Sequence, residues 1–278
     1  MNNIGKWVLA AGVACFLLSA MPAMSGDRQV MILADVSGSM QEKFTYKEKK
    51  ENSDEEQEKT IRKIEALKTL LLDLSAKPEL FDSPLGVYRF RHIAGYADDW
   101  EIFMEPGVYE SGKFADEIRD GFETEYPVFN RRTPLADALK QIQENVLKNV
   151  GGEVILVILT DGKDSFYDLK KDAKKSLEAA EKDEMEGPLS ETVRITRTHG
   201  DRLTIHTVYM EEGEEPYGKD QIEAFFGKDE TEMDREVNGE MLLKRMARAG
   251  GGMSFSAKQL LEDQTLRQTF LTTLCGSE

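Results

Sequence analysis

The chain has 278 residues, a formal net charge of −16 and two cysteines. This length is sufficient for one α/β domain with a sizeable core. A strongly acidic chain repels a phosphate backbone, so the composition argues against nucleic acid as a partner.

The first 25 residues predict a secretory signal peptide. They carry one charge, at Lys6, followed by an apolar stretch from Trp7 to Leu18 and small residues up to Ser25. This order is typical of an exported protein, and we expect cleavage after Ser25. Because Trp7 to Met24 approaches the length of a spanning helix, an uncleaved membrane anchor remains an alternative. We expect one domain over 26–278, periplasmic or secreted, in contact with a membrane only if the leader is retained.

Removal of the leader leaves a net charge of −17 and a single cysteine, Cys275. No intrachain disulfide can then stabilise the fold, so the hydrophobic core must do so. The lone cysteine and the short leader favour the periplasm of a Gram-negative cell over a disulfide-rich animal secretion.

Five segments predict β-strands. Continuous apolar runs at Val30–Ala34 and Val154–Leu159 are typical of parallel strands that are buried on both faces at the centre of a sheet. The run Gly86–Ile93 alternates apolar and polar residues and Trp100–Met104 is short, so we expect both nearer an edge. A fifth strand is predicted at Leu203–Met210.

Apolar residues at helical spacing predict helices between these strands. Alternating strands and helices indicate an α/β fold: a doubly wound, mainly parallel central sheet with helices on both faces. The two clearest stripes are Ile61, Ile64, Leu67, Leu71 and Leu74, and Leu135, Ala138, Leu139, Ile142 and Val146.

Two charged segments interrupt this pattern and predict insertions, near 41–60 and 211–240. The first holds 12 Asp, Glu, Lys or Arg residues in 20 positions. Such charge density leaves little apolar surface to offset the entropy of ordering, so we expect 41–60 to be mobile or weakly helical. A third charged segment, 170–186, predicts an exposed helix.

Oxygen-bearing side chains follow the two most apolar strands. Asp35, Ser37 and Ser39 come at alternate positions after the first strand, Thr133 precedes a predicted helix, and Asp161 follows the strand at 154–159. Ligands of doubly wound sheets bind beyond the carboxyl ends of the strands. Hydroxyl and carboxylate oxygens suit a hard cation such as Mg²⁺, which keeps positions for water or an incoming ligand. Each residue taken alone is also compatible with an ordinary helix cap or turn.

The order D-x-S-x-S, then Thr, then Asp resembles the von Willebrand factor type A (VWA) domain with its metal-ion-dependent adhesion site. The segment Leu243–Phe255 is also similar to the last helix and strand of that family, so the resemblance covers nearly the whole chain after the leader. It implies the Rossmann-like VWA fold and a site for Mg²⁺, Mn²⁺ or Ca²⁺.

The resemblance also implies a role for each residue of the site. Ser37 and Ser39 would coordinate the ion through their hydroxyls, Thr133 would do so directly or through water, and Asp35 and Asp161 would bind it directly or hold waters of its shell. Three nearby residues each have two possible roles. Asp164 is either a residue that orients such a water or a surface carboxylate. Arg131 and Arg132 stand where the family often has glycines, and would either help to hold an acidic partner or be solvated.

The function implied is that of a non-catalytic, exported module that binds a protein partner, whose acidic side chain completes the coordination of the cation. A role in assembling or maturing other envelope proteins, through the same site, is the alternative.

An enzyme is the remote alternative. A phosphatase with an Asp nucleophile of the haloacid dehalogenase type places Asp after its first strand, but requires D-x-D, and position 37 is Ser37. The chain has no G-x-S-x-G, H-E-x-x-H, Walker A or G-x-G-x-x-G motif. His92, His199 and His206 show no spacing relation to each other or to a nucleophile. We therefore expect no catalytic residues.

Overall fold

The computed structural model describes residues 28–49, 56–91, 100–124, 133–162, 187–211 and 239–275. The leader, the segment 170–186 and nearly all of 211–240 lie outside these ranges, so the expectations for them remain predictions. In the part of the chain that the structure describes, no helix is both long and apolar enough to cross a membrane.

Six strands form the central sheet, in the order β5-β4-β1-β6-β7-β8. All neighbouring pairs are parallel except β4 with β5. The predicted central strands β1 and β6 are adjacent at the middle, and β5 is an edge strand with β4 beside it. Their bounds are β1 Arg28–Asp35, β4 Leu85–Phe90, β5 Trp100–Gly107, β6 Glu153–Thr160, β7 Leu203–Tyr209 and β8 Gly251–Ser256.

Seven α-helices are found among the described residues, and they cover both faces of the sheet. Their bounds are α1 Lys63–Leu74, α2 Ser111–Gly121, α3 Leu135–Asn145, α4 Pro188–His199, α5 Gly239–Ala249, α6 Ala257–Glu262 and α7 Gln264–Cys275. The doubly wound α/β fold predicted from the sequence is therefore confirmed.

The alternation of side chains along the central strands divides the core into two layers. Val30 and Ile32 of β1 pack with α1, α2, α6 and α7 on one face. Met31 and Leu33 pack with α3, α4 and α5 on the other. Because both faces are covered, β1 and β6 must be apolar along nearly their whole length, which is what their sequences show.

The end of the chain lies against its first strand. The guanidinium of Arg28, at the start of β1, donates a hydrogen bond to the backbone carbonyl of Cys275, at the end of α7. Arg28 also faces Glu153 at the start of β6, with 3.7 Å between Nη2 and Oε2. Both contacts lie at the end of the sheet where the parallel strands begin.

The prediction that 41–60 is mobile or weakly helical is wrong for the residues described. Strands β2 (Lys43–Lys49) and β3 (Glu56–Arg62) form an antiparallel hairpin. Phe44 and Tyr46, only 3% and 4% exposed, pack with Ala66 of α1 and Leu261 of α6. Two aromatic side chains on one face of a strand bury enough apolar surface to order a charged segment, which a count of its charges overlooks.

The hairpin also shifts the start of the first helix. The predicted stripe began at Ile61, but this residue belongs to β3, and α1 begins at Lys63. The carboxylate of Glu65 accepts hydrogen bonds from the backbone N–H of Arg62 and from its guanidinium, both at 2.8 Å. These contacts stabilise the amino terminus of α1, where unpaired backbone N–H groups require acceptors.

Candidate metal site

The candidate site lies where the two central strands end. Asp35 is the last residue of β1 and Asp161 directly follows β6, which is the parallel neighbour of β1. Both carboxylates are fully buried, at 0% exposure. Two buried carboxylates in one place are costly unless they bind a cation or are neutralised, so their position indicates a functional site.

The loop after β1 is shaped by Asp35 itself. One oxygen of its carboxylate, Oδ1, accepts a hydrogen bond from the backbone N–H of Ser37 at 2.8 Å. This is a local Asp-turn, which brings the chain round into a short 3₁₀ helix at Gly38–Gln41. The other oxygen, Oδ2, accepts from the hydroxyl of Thr160 at 2.6 Å.

Three side-chain hydroxyls lie in contact with one another near this carboxylate. The Oγ atoms of Ser37 and Ser39 lie 3.1 Å apart. Thr133, which is 1% exposed, donates from its Oγ1 to Ser37 Oγ at 3.0 Å. Thr133 comes from a distant part of the chain, just before α3, and Pro134 directly precedes the first helical residue. The tertiary fold thus brings Thr133 to the serines, as the motif predicts.

The ionised form of the Asp35 side chain is disfavoured by its surroundings. Burial, together with repulsion from the Asp161 carboxylate, raises the pKa of Asp35 to about 7, against the opposing effect of the hydrogen bonds from Ser37 and Thr160. Such a shift shows that the metal-free site holds a second negative charge only with difficulty. A divalent cation would relieve this repulsion.

A lysine that the sequence analysis did not single out also lies at the site. Lys63, the first residue of α1, is 0% exposed. Its Nζ donates to Glu42 Oε2 at 2.7 Å and to Asp161 Oδ2 at 3.1 Å. Burial disfavours the ammonium, but the carboxylates of Asp161 and Glu42 outweigh it and raise the pKa of Lys63. The lysine therefore stays charged.

The donor set fits a hard divalent cation. Among the described residues, no cluster of three or more His, Cys, Asp and Glu side chains is placed to hold a metal, so hydroxyls would supply part of the shell. Neutral hydroxyls beside two carboxylates match the oxygen preference of Mg²⁺ or Mn²⁺ and offer no sulfur or imidazole to Zn²⁺.

The structure brings all five predicted residues to one end of the sheet. It also adds Thr160, Glu42 and Lys63, which the sequence analysis missed. Thr160 directly precedes Asp161 in an otherwise apolar run, and this could have marked it. No sequence signal separates Lys63 from the other basic residues, because its partners lie 21 and 98 residues away.

Other predicted residues fall elsewhere. Arg131, Arg132 and Asp164 lie outside the described residues, so their roles stay predictions. His206 packs within β7, where its Nδ1 accepts from the backbone N–H of Met253 at 3.1 Å. This is the structural role expected of a histidine without chemistry.

Comparisons with protein-family models and with curated protein sequences find no match. Solved structures do match. An aerotolerance-related membrane protein from Bacteroides fragilis has a TM-score of 0.50 at 14% identity, over 89% of this chain and 98% of that one. The pilus adhesin SpaC from Lactobacillus rhamnosus GG has a TM-score of 0.51 at 11% identity, over 89% of this chain and 30% of that one.

A further structure is proximal thread matrix protein 1 from the mussel byssus with a zinc-occupied metal-ion-dependent adhesion site. Its TM-score is 0.47 at 13% identity, over 90% of this chain and 46% of that one. The first two matches, at these identities, show the fold and not the activity. Together with the sheet order and the helices on both faces, they give this chain the von Willebrand factor type A fold that its sequence predicts.

Proposed function

We propose that this chain is a non-catalytic, exported module that binds a protein partner through a divalent cation. The observation that carries the proposal is the convergence of Asp35, Ser37, Ser39, Thr133 and Asp161 at the carboxyl end of the sheet, with both carboxylates fully buried. Two buried carboxylates side by side cost stability, and a bound cation would offset that cost.

Each residue has a separate task in this proposal. Ser37, Ser39 and Thr133 offer hydroxyl oxygens, already in contact with one another, to the cation. Asp35 and Asp161 balance its charge. Thr160 orients Asp35 by donating to its Oδ2, and itself accepts from the N–H of Gly162 at 3.2 Å. The cation, when bound, supplies an open coordination position that an acidic side chain of a partner can fill.

Binding of Mg²⁺ or Mn²⁺ tests the site. We expect the wild-type domain to bind one ion in isothermal titration calorimetry, and the Asp35→Ala, Ser37→Ala double variant to lose binding. Ser190→Ala is the control, because Ser190 is equally buried but lies in α4. Equal binding by the double variant and the wild type would show that the site has been misplaced.

Capture of partners from an envelope extract tests the mechanism. The wild-type domain with Mg²⁺ should retain proteins that the same domain with chelator does not retain. The identity of those proteins separates an adhesive role from one in envelope assembly. Retention that is insensitive to chelator would rule out a metal-bridged contact.

A further inference from the structure

Lys63 is a cation at the site to which the proposed function gives no task. It is fully buried and contacts Asp161, one of the proposed ligands, at 3.1 Å. We propose that Lys63 is a built-in competitor of the divalent cation: it holds Asp161 in the metal-free protein and lowers the affinity of the site for metal. This inference rests on the proposed function.

The backbone keeps Lys63 in place. It is the first residue of α1, and its N–H donates to the carbonyl of Glu42 at 2.9 Å. Next to it, Arg62 Nη1 donates to Gln41 Oε1 at 3.1 Å, and Gln41 Nε2 donates to the carbonyl of Thr124 at 3.2 Å. These contacts hold the ammonium close to Asp161, so the ion pair forms with little loss of conformational entropy.

The charges at the site explain why such a cation is present. Without metal, Asp35 and Asp161 are two buried carboxylates that repel each other. A buried carboxylate without a counter-ion is strongly destabilising, and an ammonium at hydrogen-bonding distance offsets part of that cost. Lys63 thus makes the empty site compatible with a folded domain.

The same charge opposes a bound metal ion. An ammonium in contact with a ligand carboxylate lies within a few ångströms of any cation that the carboxylate binds, and like charges at that distance repel strongly in a buried place. By linkage, if Lys63 weakens metal binding, bound metal weakens the contact of Lys63 with Asp161 by the same factor.

Glu42 gives the ammonium a second partner. Its carboxylate is 2.7 Å from Lys63 Nζ. The side chain of Glu42 is 25% exposed, so water solvates its carboxylate in part, whereas the carboxylate of Asp161 is fully buried. Lys63 therefore has a carboxylate to pair with whether Asp161 serves the ammonium or the metal.

The test is Lys63→Met, which keeps the length of the side chain and removes its charge. In calorimetry with Mg²⁺ alone, we expect this variant to bind metal more tightly than the wild type, by about 5- to 150-fold. In thermal unfolding, it should be less stable than the wild type in chelator, and its melting temperature should rise more on addition of Mg²⁺.

Lys68→Met is the matched control. Lys68 lies on the same helix, and its Nζ donates to two backbone carbonyls, of Arg119 at 2.7 Å and Phe122 at 2.8 Å. Lys68→Met should lower the melting temperature by the same amount with Mg²⁺ and with chelator. Its affinity for the metal should equal that of the wild type. Lys63→Gln, which keeps hydrogen-bond donors without the charge, replaces Lys63→Met if that variant fails to fold, with the same expected results.

The possible outcomes separate this inference from the proposed function. If the wild type binds Mg²⁺ and the Lys63 variants bind it equally or more weakly, the competitor role is overturned and the metal site stands. If neither the wild type nor the Lys63 variants bind Mg²⁺ or Mn²⁺, both proposals fail. Tighter binding by a Lys63 variant supports both.

Discussion

Lysine–carboxylate pairs occur in two contrasting places in this domain. At the end of the central strands, Lys63 and Asp161 lie 3.1 Å apart and both are fully buried. On the hairpin, Lys47 and Glu56 are as close, at 3.0 Å, but their side chains are 59% and 48% exposed. Water screens the second pair and cannot screen the first. Distance alone therefore says little about what an ion pair does for the fold.

The two regions differ in the source of their stability. At the candidate metal site, buried charge costs stability, and the proposed function would explain why these residues are present. On the hairpin, the charges are close to neutral for stability, and Phe44 and Tyr46 attach the strands to α1 and α6. Four predictions test this contrast.

The largest effect is expected at Asp35. In chelator at pH 8, Asp35→Asn should raise the free energy of unfolding by roughly 2–4 kcal/mol, since a pKa raised from 3.8 to about 7 makes the ionised form costly. The measurement is urea unfolding. A stability equal to or below that of the wild type would mean that the buried charge is not costly.

The same residue predicts a pH dependence. Because the pKa of Asp35 is about 7 in the folded state and its ordinary value is 3.8, the folded chain binds this proton first as the pH falls. Protonation of Asp35 therefore increases the free energy of unfolding as the pH falls from 8 towards 5. This contribution is lost as the pH rises through 7. The gap between wild type and Asp35→Asn in chelator should narrow towards pH 5, and a constant gap would contradict the prediction.

The second effect concerns the hairpin. Phe44→Ala should lower the free energy of unfolding by about 3 kcal/mol, because it leaves a cavity among Tyr46, Ala66 and Leu261. Thr45→Ala is the control on the opposite face, where the Oγ1 atoms of Thr45 and Thr60 share an exposed hydrogen bond of 2.9 Å. It should change stability by roughly 0.5 kcal/mol or less. Equal losses in both variants would show that the aromatic face does not attach the hairpin.

The smallest effect is expected for the exposed pair. Lys47→Met should leave the midpoint of urea unfolding unchanged, at low and at high salt, because this ion pair is solvated. A clear loss of stability that disappears at high salt would show that the hairpin depends on its charges, and the contrast between the two regions would be weaker.

The sequence predicted the sheet and most of the site because both have local signals. Continuous apolar runs identify β1 and β6, and a spaced motif identifies Asp35, Ser37 and Ser39. The hairpin was missed because the charges of 41–60 hide two aromatic residues whose burial depends on α6, about 200 residues away in the chain. Lys63 was missed for the same reason: its ion pair with Asp161 exists only in the tertiary fold.

The direction of β1 determines how the domain presents its site. This strand runs from Arg28 to Asp35, so its first residue lies about 23 Å from the carboxylates, at the opposite end of the sheet. Cys275 lies at that same end, held by Arg28. A surface that holds the domain at Arg28 or Cys275 would leave the candidate metal site facing the solution. A domain immobilised in this way is therefore suitable for the capture experiment.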